Sequence, residues 1–293
     1  MYEQYYGFAE PPFSLTPDPK YLYRSESHAN ALELLQYAIG RREGFMLVTG
    51  DIGTGKTTLC RALLEQIGSN TYTALLLNPF LSEEDLLKAI LQDVGVLSRD
   101  HERVAARRFT TQDLISILHD FLLSILPKGG RLLVIIDEAQ NLPLKILEQI
   151  RILSNLETDK EKLMQIVLFG QLNLLSLLRA PDLRQLDQRI AIRYQLKPLL
   201  PAEVTAYIAH RLAIANSTRT VMFTPKALGL VHESSGGIPR LINLVCDRAL
   251  LGGFAARTTR IDADIVSKAA EGLDLVAVPQ RRSWWRFGRA RAS

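Results

Sequence analysis

The chain has 293 residues, of which 47% are hydrophobic and 23% are charged, so it is long enough for about two folded domains and is not a disordered protein. No run approaches the roughly 18 apolar residues of a membrane-spanning helix, and the N-terminus lacks the basic and apolar stretches of a secretory signal. The net charge is +4, but residues 281–293 hold five arginines and no acid, which leaves −1 for the rest of the chain.

The two cysteines, Cys60 and Cys246, are too few for a metal cluster and stand far apart in the sequence. Their neighbours predict helices. We therefore expect both to be small core residues in a protein of a reducing compartment.

The first 24 residues predict an extended arm that lies on the folded domain. This segment is rich in aromatic residues, and prolines at Pro11-Pro12 and Pro17-Asp18-Pro19 oppose both helix and inner strand. A helix with an apolar face is expected over residues 27–39.

Strands and helices then alternate, which predicts an α/β domain with a parallel sheet and helices on both faces over residues 25–198. The predicted strands are residues 45–49, 73–77, 132–136, 163–169 and 190–196. The predicted helices are residues 57–67, 83–94, 113–126 and 144–156, the second of them capped by Ser82 with Asp85. The unbroken apolar run at 132–136 is typical of a strand covered on both faces.

After Pro198 and Pro201 the pattern becomes helical only, which predicts a small all-helical lid domain over residues 199–275. The expected helices are residues 203–215, 225–234, 239–252 and 262–272. Thr224 and Pro225 form a favourable N-cap and first-turn pair. Residues 276–293 are expected to be a disordered, basic and aromatic tail.

The glycine-rich segment after the first strand has the pattern of a phosphate-binding P-loop, in which backbone N–H groups surround phosphate oxygens. In this pattern Lys56 reaches the β- and γ-phosphates and the Thr57 hydroxyl binds Mg²⁺. The predicted nucleotide-binding residues are Gly50, Asp51, Ile52, Gly53, Thr54, Gly55, Lys56, Thr57 and Thr58. The structural alternative is a plain glycine turn between a strand and a helix.

The strand at 132–136 ends in Asp137-Glu138, which places two carboxylates at the edge of the sheet where ligands bind. Asp137 can hold Mg²⁺, and Glu138 can polarise the attacking water as a general base. By itself, the same pair could also be an acidic cap on the next helix. The glycine loop about 75 residues upstream favours the catalytic interpretation.

Arginines follow the core strands. Arg184 and Arg189 precede the last strand, and Arg240 opens a helix of the second domain. An arginine supplied by a neighbouring subunit or a closing lid can stabilise charge on a transferring phosphoryl group. The alternative for each of them is solvated surface charge.

Taken together, the residues resemble the ExeA/GspA-like group of AAA+ ATPases, whose members accompany type II secretion, MSHA-type pili and exosortase loci. Asp137-Glu-Ala-Gln-Asn-Leu142 and Gly236-Gly-Ile-Pro-Arg240 are rather specific to this group. The other matching segments, within residues 2–272, are Pro12-Phe-Ser-Leu-Thr-Pro-Asp-Pro19, His28 with Ala31-Leu32, Gly44-Phe45, Gly50 to Thr58, Leu153-Ser-Asn-Leu-Glu157, Leu168-Phe-Gly-Gln171, Leu183-Arg-Gln-Leu186 and Leu241-Ile-Asn243.

The resemblance implies further roles. Gln171 would be sensor 1 at the γ-phosphate, and Arg240 would be sensor 2 on the lid. Arg189 is the first choice for the arginine finger, and Arg184 the second.

The resemblance also suggests how the base and the adenine are held. Asn78 could hold Glu138 off-line until a partner binds, and the N-terminal arm with the helix after it would wall the adenine. Leu172 departs from the group's pattern, because many members carry proline after the glutamine. This departure puts the loop after Gln171 in question, but not the glutamine itself.

The tail, residues 281–291, mixes arginines with Trp284, Trp285 and Phe287. Such a mixture suits a peripheral membrane contact with anionic lipid. It could also bind nucleic acid or be a disordered, solubilising end.

We therefore expect a cytoplasmic, homo-oligomeric ATPase at the inner face of the inner membrane. It would use ATP and Mg²⁺ to assemble or localise a cell-envelope secretion, pilus or exosortase-type machine. Its partners would be envelope and secretion-apparatus proteins. Two alternatives stay open: a DNA-associated ATPase of the transposition-helper or origin-binding kind, and a nucleotide-dependent switch with little turnover.

Overall fold

The computed structural model describes residues 2–16, 18–77, 82–98, 109–157 and 162–275. Within these residues, five parallel strands form one sheet in the order β2-β3-β4-β1-β5. The strands are β1 (Phe45–Gly50), β2 (Thr71–Leu76), β3 (Arg131–Ile136), β4 (Met164–Gly170) and β5 (Ile190–Leu196). The parallel sheet predicted from the alternating pattern is therefore confirmed. The predictions for Asn78 and for the tail at residues 276–293 lie outside the described residues.

Alternate side chains of the central strands enter two separate cores, because successive residues of a strand point to opposite faces of the sheet. On β3, Leu132, Val134 and Ile136 pack in one core, whereas Leu133 and Ile135 pack in the other. Helices therefore cover both faces, as the apolar run of β3 predicts.

Three helices of the α/β domain, which begin at Glu26, Glu83 and Thr111, are capped by a side chain. The side chains of Ser82 and Thr110 each accept a hydrogen bond from the backbone N–H three residues on. The carboxylates of Asp85 and Asp113 accept from the backbone N–H of Ser82 and Thr110 in turn, which completes two capping boxes. The helices are α2 (Glu26–Gly40), α3 (Lys56–Glu65), α4 (Glu83–Asp93), α5 (Thr111–Ile125), α6 (Leu144–Leu153), α7 (Asn173–Leu178) and α8 (Arg184–Arg189).

Helices α7 and α8 were not predicted from the sequence. Each has only six residues, which is too short for a clear helical period. Their buried leucines, Leu174, Leu178 and Leu186, join the core beneath β4.

Cys60 and Cys246 are buried free thiols, and burial raises the pKa of Cys60 to about 12.

The chain passes into a helical domain between β5 and α9. The helices of this domain are α9 (Pro201–Ile214), α10 (Pro225–Ser235), α11 (Pro239–Ala255) and α12 (Ala263–Glu271). The domain also contains a short parallel strand pair, β6 (Met222–Phe223) with β7 (Arg260–Ile261), which the sequence did not indicate.

The N-terminal segment differs from the extended arm expected over residues 1–24. Residues Tyr2–Tyr6 form a helix, α1, and Pro19–Tyr21 form a 3₁₀ turn. The prolines begin only at Pro11, so nothing opposes helix before them, and the buried rings of Tyr2 and Tyr6 fix α1 in the core of the helical domain. The Tyr6 hydroxyl donates to the carbonyls of Leu250 and Thr258, at 3.0 and 3.1 Å.

In the described ranges, no helix is both long and apolar enough to cross a bilayer.

Replacing Tyr6 tests how strongly α1 is bound. We expect Tyr6→Ala to lower the free energy of unfolding by about 3–5 kcal/mol, because it empties a fully buried aromatic site. Tyr6→Phe removes only the hydroxyl and should cost about 1 kcal/mol. Urea unfolding measures both, and Tyr37→Ala, at a ring that is 62% exposed, is the control. A loss in Tyr6→Ala no larger than in the control would contradict this packing.

Candidate active site

The loop between β1 and α3 has the backbone geometry of a phosphate cradle. Gly53 and Gly55 have φ values of 82° and 98°, a conformation that side chains disfavour. A Cβ at Gly53 would lie 2.5 Å from the Cβ of Arg240, and one at Gly55 would lie 2.8 Å from Nε2 of His28. The loop therefore needs these glycines both for its turn and for its neighbours. Helix α3 begins at Lys56, so its positive end faces the loop.

Lys56 is buried against its own loop. Its Nζ donates to the carbonyls of Gly50 and Asp51, each at 2.9 Å. Burial lowers the pKa of Lys56, while the nearby carboxylates of Glu138 and Asp137 act in the opposite direction. The amine is thus held at the mouth of the loop, opposite two carboxylates.

Thr57 and Asp137 form the oxygen pair that the sequence assigned to Mg²⁺. The Thr57 hydroxyl donates to Oδ2 of Asp137 at 2.7 Å, and Asp137 is buried at the end of β3. A hydroxyl and a carboxylate at this distance fit Mg²⁺, which prefers oxygen ligands. Oδ1 of Asp137 accepts the backbone N–H of Glu138 at 2.9 Å, which fixes the carboxylate plane.

Glu138 lies in the left-handed region, with a φ of 53°, directly after the buried aspartate. Its Oε2 accepts hydrogen bonds from the side-chain amides of Gln140, at 2.5 Å, and Gln171, at 3.3 Å. The family resemblance implied a role for Gln171 at the γ-phosphate, but neither its contact with Glu138 nor that of Gln140 was predicted. The only signal for Gln140 was its place in the segment that follows Glu138.

The helical domain touches the loop directly through Arg240. The backbone N–H of Arg240 donates to the Gly53 carbonyl at 3.2 Å, while its side chain is exposed and lines the same cavity as Lys56 and Glu138. The predicted lid residue is thus brought to the loop by the N-terminus of α11.

The rest of the loop is arranged as follows. Thr54 is buried, and its hydroxyl donates to the Asp51 carbonyl at 2.8 Å, which closes the turn. Ile52 is 64% exposed beside the cavity, and Thr58 lines it one residue after Thr57.

His28 supports the loop from behind. Its Nε2 lies 3.1 Å from the Thr54 carbonyl, and its Nδ1 lies 2.7 Å from the Ser25 hydroxyl. A carbonyl only accepts, so Nε2 carries the proton and Nδ1 accepts from Ser25. Burial lowers the pKa of His28, which agrees with this neutral ring. His28 is one of the residues by which the sequence resembles the family, but the spacing of residues could not show that His28 contacts the loop.

The cavity beside the loop is walled by both domains and by the N-terminal segment. Arg211 of α9 is buried there; its guanidinium donates to the carbonyls of Pro12 and Ser14 and lies 4.5 Å from the ring centre of Tyr21. Tyr207 donates to Asn243 at 2.8 Å along the same wall. The cavity-lining residues before α2 are Ser14, Leu15, Thr16, Asp18, Tyr21, Leu22 and Tyr23.

The two arginines of α8 lie in different surroundings. Arg189, the first choice for an arginine finger, donates to Ser154 Oγ at 2.8 Å and to the Arg151 carbonyl at 3.3 Å within its own chain. Arg184 is exposed. Neither lines the cavity that contains Lys56.

The lowered pKa of His28 predicts a pH dependence of stability. A depressed folded-state pKa means that protons bind the unfolded chain more readily, so the contribution of His28 is present above its ordinary value of 6.5 and is lost as the pH falls below it. We expect the melting temperature to fall less steeply below pH 6.5 in His28→Gln than in wild type. Thermal unfolding across this range measures the slope, and His119→Gln on α5 is the control. Parallel slopes in wild type and His28→Gln would exclude this contribution.

Comparison with known proteins shows which proteins this chain is similar to. The family described as "AAA domain" matches residues 39–178. General secretion pathway protein A of Aeromonas hydrophila is 48% identical over 270 residues, which is 92% of this chain. The chain spans about half of that relative, since the match covers 48% of its length.

Two solved structures share the fold over most of the chain. Cdc6p of Pyrobaculum aerophilum has a TM-score of 0.70 at 15% identity, covering 89% of this chain and 70% of its own. The ORC2 protein of Aeropyrum pernix, in its ADPNP-ADP complexes, has a TM-score of 0.64 at 18% identity, covering 90% of this chain and 72% of its own. At such low identity these likenesses concern the fold alone.

The glycine loop, the acidic end of β3 and the attached helical domain thus occur together in a chain with high identity to general secretion pathway protein A. This chain belongs to the ExeA/GspA-like group of AAA+ ATPases.

Proposed function

We propose that this protein hydrolyses ATP to ADP and phosphate and uses the energy to assemble or localise a cell-envelope secretion, pilus or exosortase-type machine. The observation that supports hydrolysis is that Lys56, Thr57 and Glu138 line one cavity. Asp137 accepts a hydrogen bond from Thr57 at the same site. The identity with general secretion pathway protein A supports the link to secretion.

In this proposal the residues of the loop hold the nucleotide and its metal ion. Thr57 and Asp137 would hold Mg²⁺, which supplies charge neutralisation at the phosphates when it is bound. Lys56 would exchange its carbonyl partners for phosphate oxygens, since its Nζ already lies at the mouth of the loop. Glu138 would orient a water and take its proton.

Gln171 and Arg240 would report the state of the γ-phosphate. Gln171 already donates to Glu138, and Arg240 reaches the loop from the helical domain. A Cβ at Gly53 would lie 2.5 Å from the Cβ of Arg240, so the helical domain packs closely against the loop at this point. Movement of the helical domain would then convert nucleotide state into mechanical work.

The protein would act as a homo-oligomer in which a neighbour supplies an arginine. The hydrogen bonds of Arg189 inside its own chain favour exposed Arg184 for this role. Its position would be cytoplasmic, at the inner face of the inner membrane, with secretion-apparatus proteins as partners. The tail at residues 276–293 would add a peripheral membrane contact.

Replacing the base and the lysine tests hydrolysis. We expect Glu138→Gln to lower kcat about 10²–10⁴-fold while ATP still binds, because only the proton acceptor is lost. Lys56→Ala should weaken ATP binding itself. Phosphate release and equilibrium binding of a fluorescent ATP analogue measure the two effects. Turnover of wild type with Mg²⁺ and secretion partners no faster than that of Glu138→Gln would sink the enzymatic proposal.

The same variant tests the cellular role. In a strain lacking this gene, we expect the wild-type protein, but not Glu138→Gln, to restore assembly of the envelope machine at its normal site. Fluorescence of a tagged secretin-type subunit measures where the machine assembles. Normal assembly in the deletion strain would contradict the role, whatever the turnover measured in vitro.

Mixing two inactive variants tests the arginine. In an oligomer, Arg184→Ala keeps Glu138, and Glu138→Gln keeps Arg184. We expect their mixture to hydrolyse ATP faster than either alone, because some shared sites then hold an intact base beside an intact arginine.

The matched control is Glu138→Gln mixed with Lys56→Ala, in which no site has both an intact lysine and an intact base. Recovery in the control, or none with Arg184→Ala, would contradict supply of Arg184 from a neighbour. Recovery with Arg189→Ala instead would assign the role to Arg189.

A further inference from the structure

The side-chain amide of Gln140 bridges the ends of two neighbouring strands. Gln140 lies in the 3₁₀ turn Ala139–Asn141 directly after β3, and Gln171 directly follows β4. Nε2 of Gln140 donates to Oε2 of Glu138 at 2.5 Å, and its Oε1 accepts the backbone N–H of Gln171 at 2.9 Å. One side chain thus connects the general-base candidate with the backbone of the loop after β4.

The orientation of this amide is determined by its partners. The backbone N–H of Gln171 can only donate, so it must face the carbonyl oxygen of the Gln140 side chain. The NH₂ group then faces the Glu138 carboxylate, which accepts. A flipped amide would set two donors against each other at Gln171 and two acceptors against each other at Glu138.

Both amide donors use the same oxygen of Glu138. Gln140 and Gln171 each donate to Oε2, so the other carboxylate oxygen, Oε1, is the one that these bonds leave for a water in the cavity. The left-handed backbone at Glu138, with a φ of 53°, is a costly conformation outside glycine and needs support from its surroundings.

Gly170 leaves the room that the bridge requires. A Cβ at this position would lie 3.1 Å from Oε1 of Gln140 and 2.5 Å from a methyl carbon of Leu174. The end of β4 is therefore packed closely against the side-chain amide of Gln140.

We propose that Gln140 is a positioning residue that sets the orientation of Glu138 and couples it to the loop carrying Gln171. The inference rests on the proposed function, since it takes Glu138 as the base. It assigns Gln140 no contact with the nucleotide: the residue acts through Glu138 alone. Movement of the loop after β4 would then reach the base through one amide.

Gln140→Met tests this role, because it keeps the length of the side chain and removes both hydrogen bonds. We expect kcat to fall about 10–100-fold, since small displacements of a reacting group are costly, while KM for ATP changes less than about twofold. Asn141→Ala, at the exposed next residue of the same turn, is the control and should stay within about twofold of wild type.

Gln140→Glu separates the donor from the acceptor. It keeps the oxygen that accepts from Gln171 but sets a second carboxylate against Glu138, so kcat should be at least as low as in Gln140→Met. If Gln140→Met does not fold, the kcat of Gln140→Glu is compared with that of wild type instead. A wild-type kcat in either variant, or a rise in KM with kcat unchanged, would overturn the inference.

A double-mutant cycle reports the contact without any turnover. Urea unfolding of wild type, Gln140→Met, Glu138→Met and the double variant, all without nucleotide, should give a stabilising coupling between the two side chains. Additive losses would overturn the inference. A wild type that hydrolyses no ATP would defeat the proposed function instead, and the coupling would then still show whether Gln140 holds Glu138.

Discussion

The parallel pairing of β1, β4 and β3 is the constraint on which the site depends. Because these three neighbouring strands run in the same direction, the residues that follow them meet at one edge of the sheet. The loop after β1 brings Lys56, the turn after β3 brings Glu138, and the loop after β4 brings Gln171. Short connections can therefore hold Lys56 and Glu138 in one cavity and Gln171 within hydrogen-bonding distance of Glu138.

The motifs with a local geometric meaning could be predicted from the sequence. A glycine loop between a strand and a helix fixes Lys56 and Thr57, and an apolar strand ending in two acids fixes Asp137 and Glu138. The spacing says nothing about which side chain meets which carboxylate oxygen. The bridge of Gln140 depends on the register of β3 against β4, which no single-strand pattern contains.

Contacts made across long stretches of sequence could not be predicted. His28 meets the Thr54 carbonyl, and Arg211 of the helical domain holds the carbonyl of Pro12. Such partners are backbone atoms, which carry no residue identity for the sequence to reveal. The density of prolines from Pro11 onward also hid the α1 helix, which is held by rings buried in a distant core rather than by local propensity.

The docking of α1 has a consequence for the order in which the chain can fold. Tyr6 binds the carbonyl of Leu250, a partner 244 residues later in the chain. At a translation rate of about 5–20 residues per second, its binding site is made roughly 12–50 s after Tyr6 itself. Helix α1 therefore docks only after the residues around Leu250 have been made, and the α/β domain, which lies between them in the chain, can form while α1 is still free.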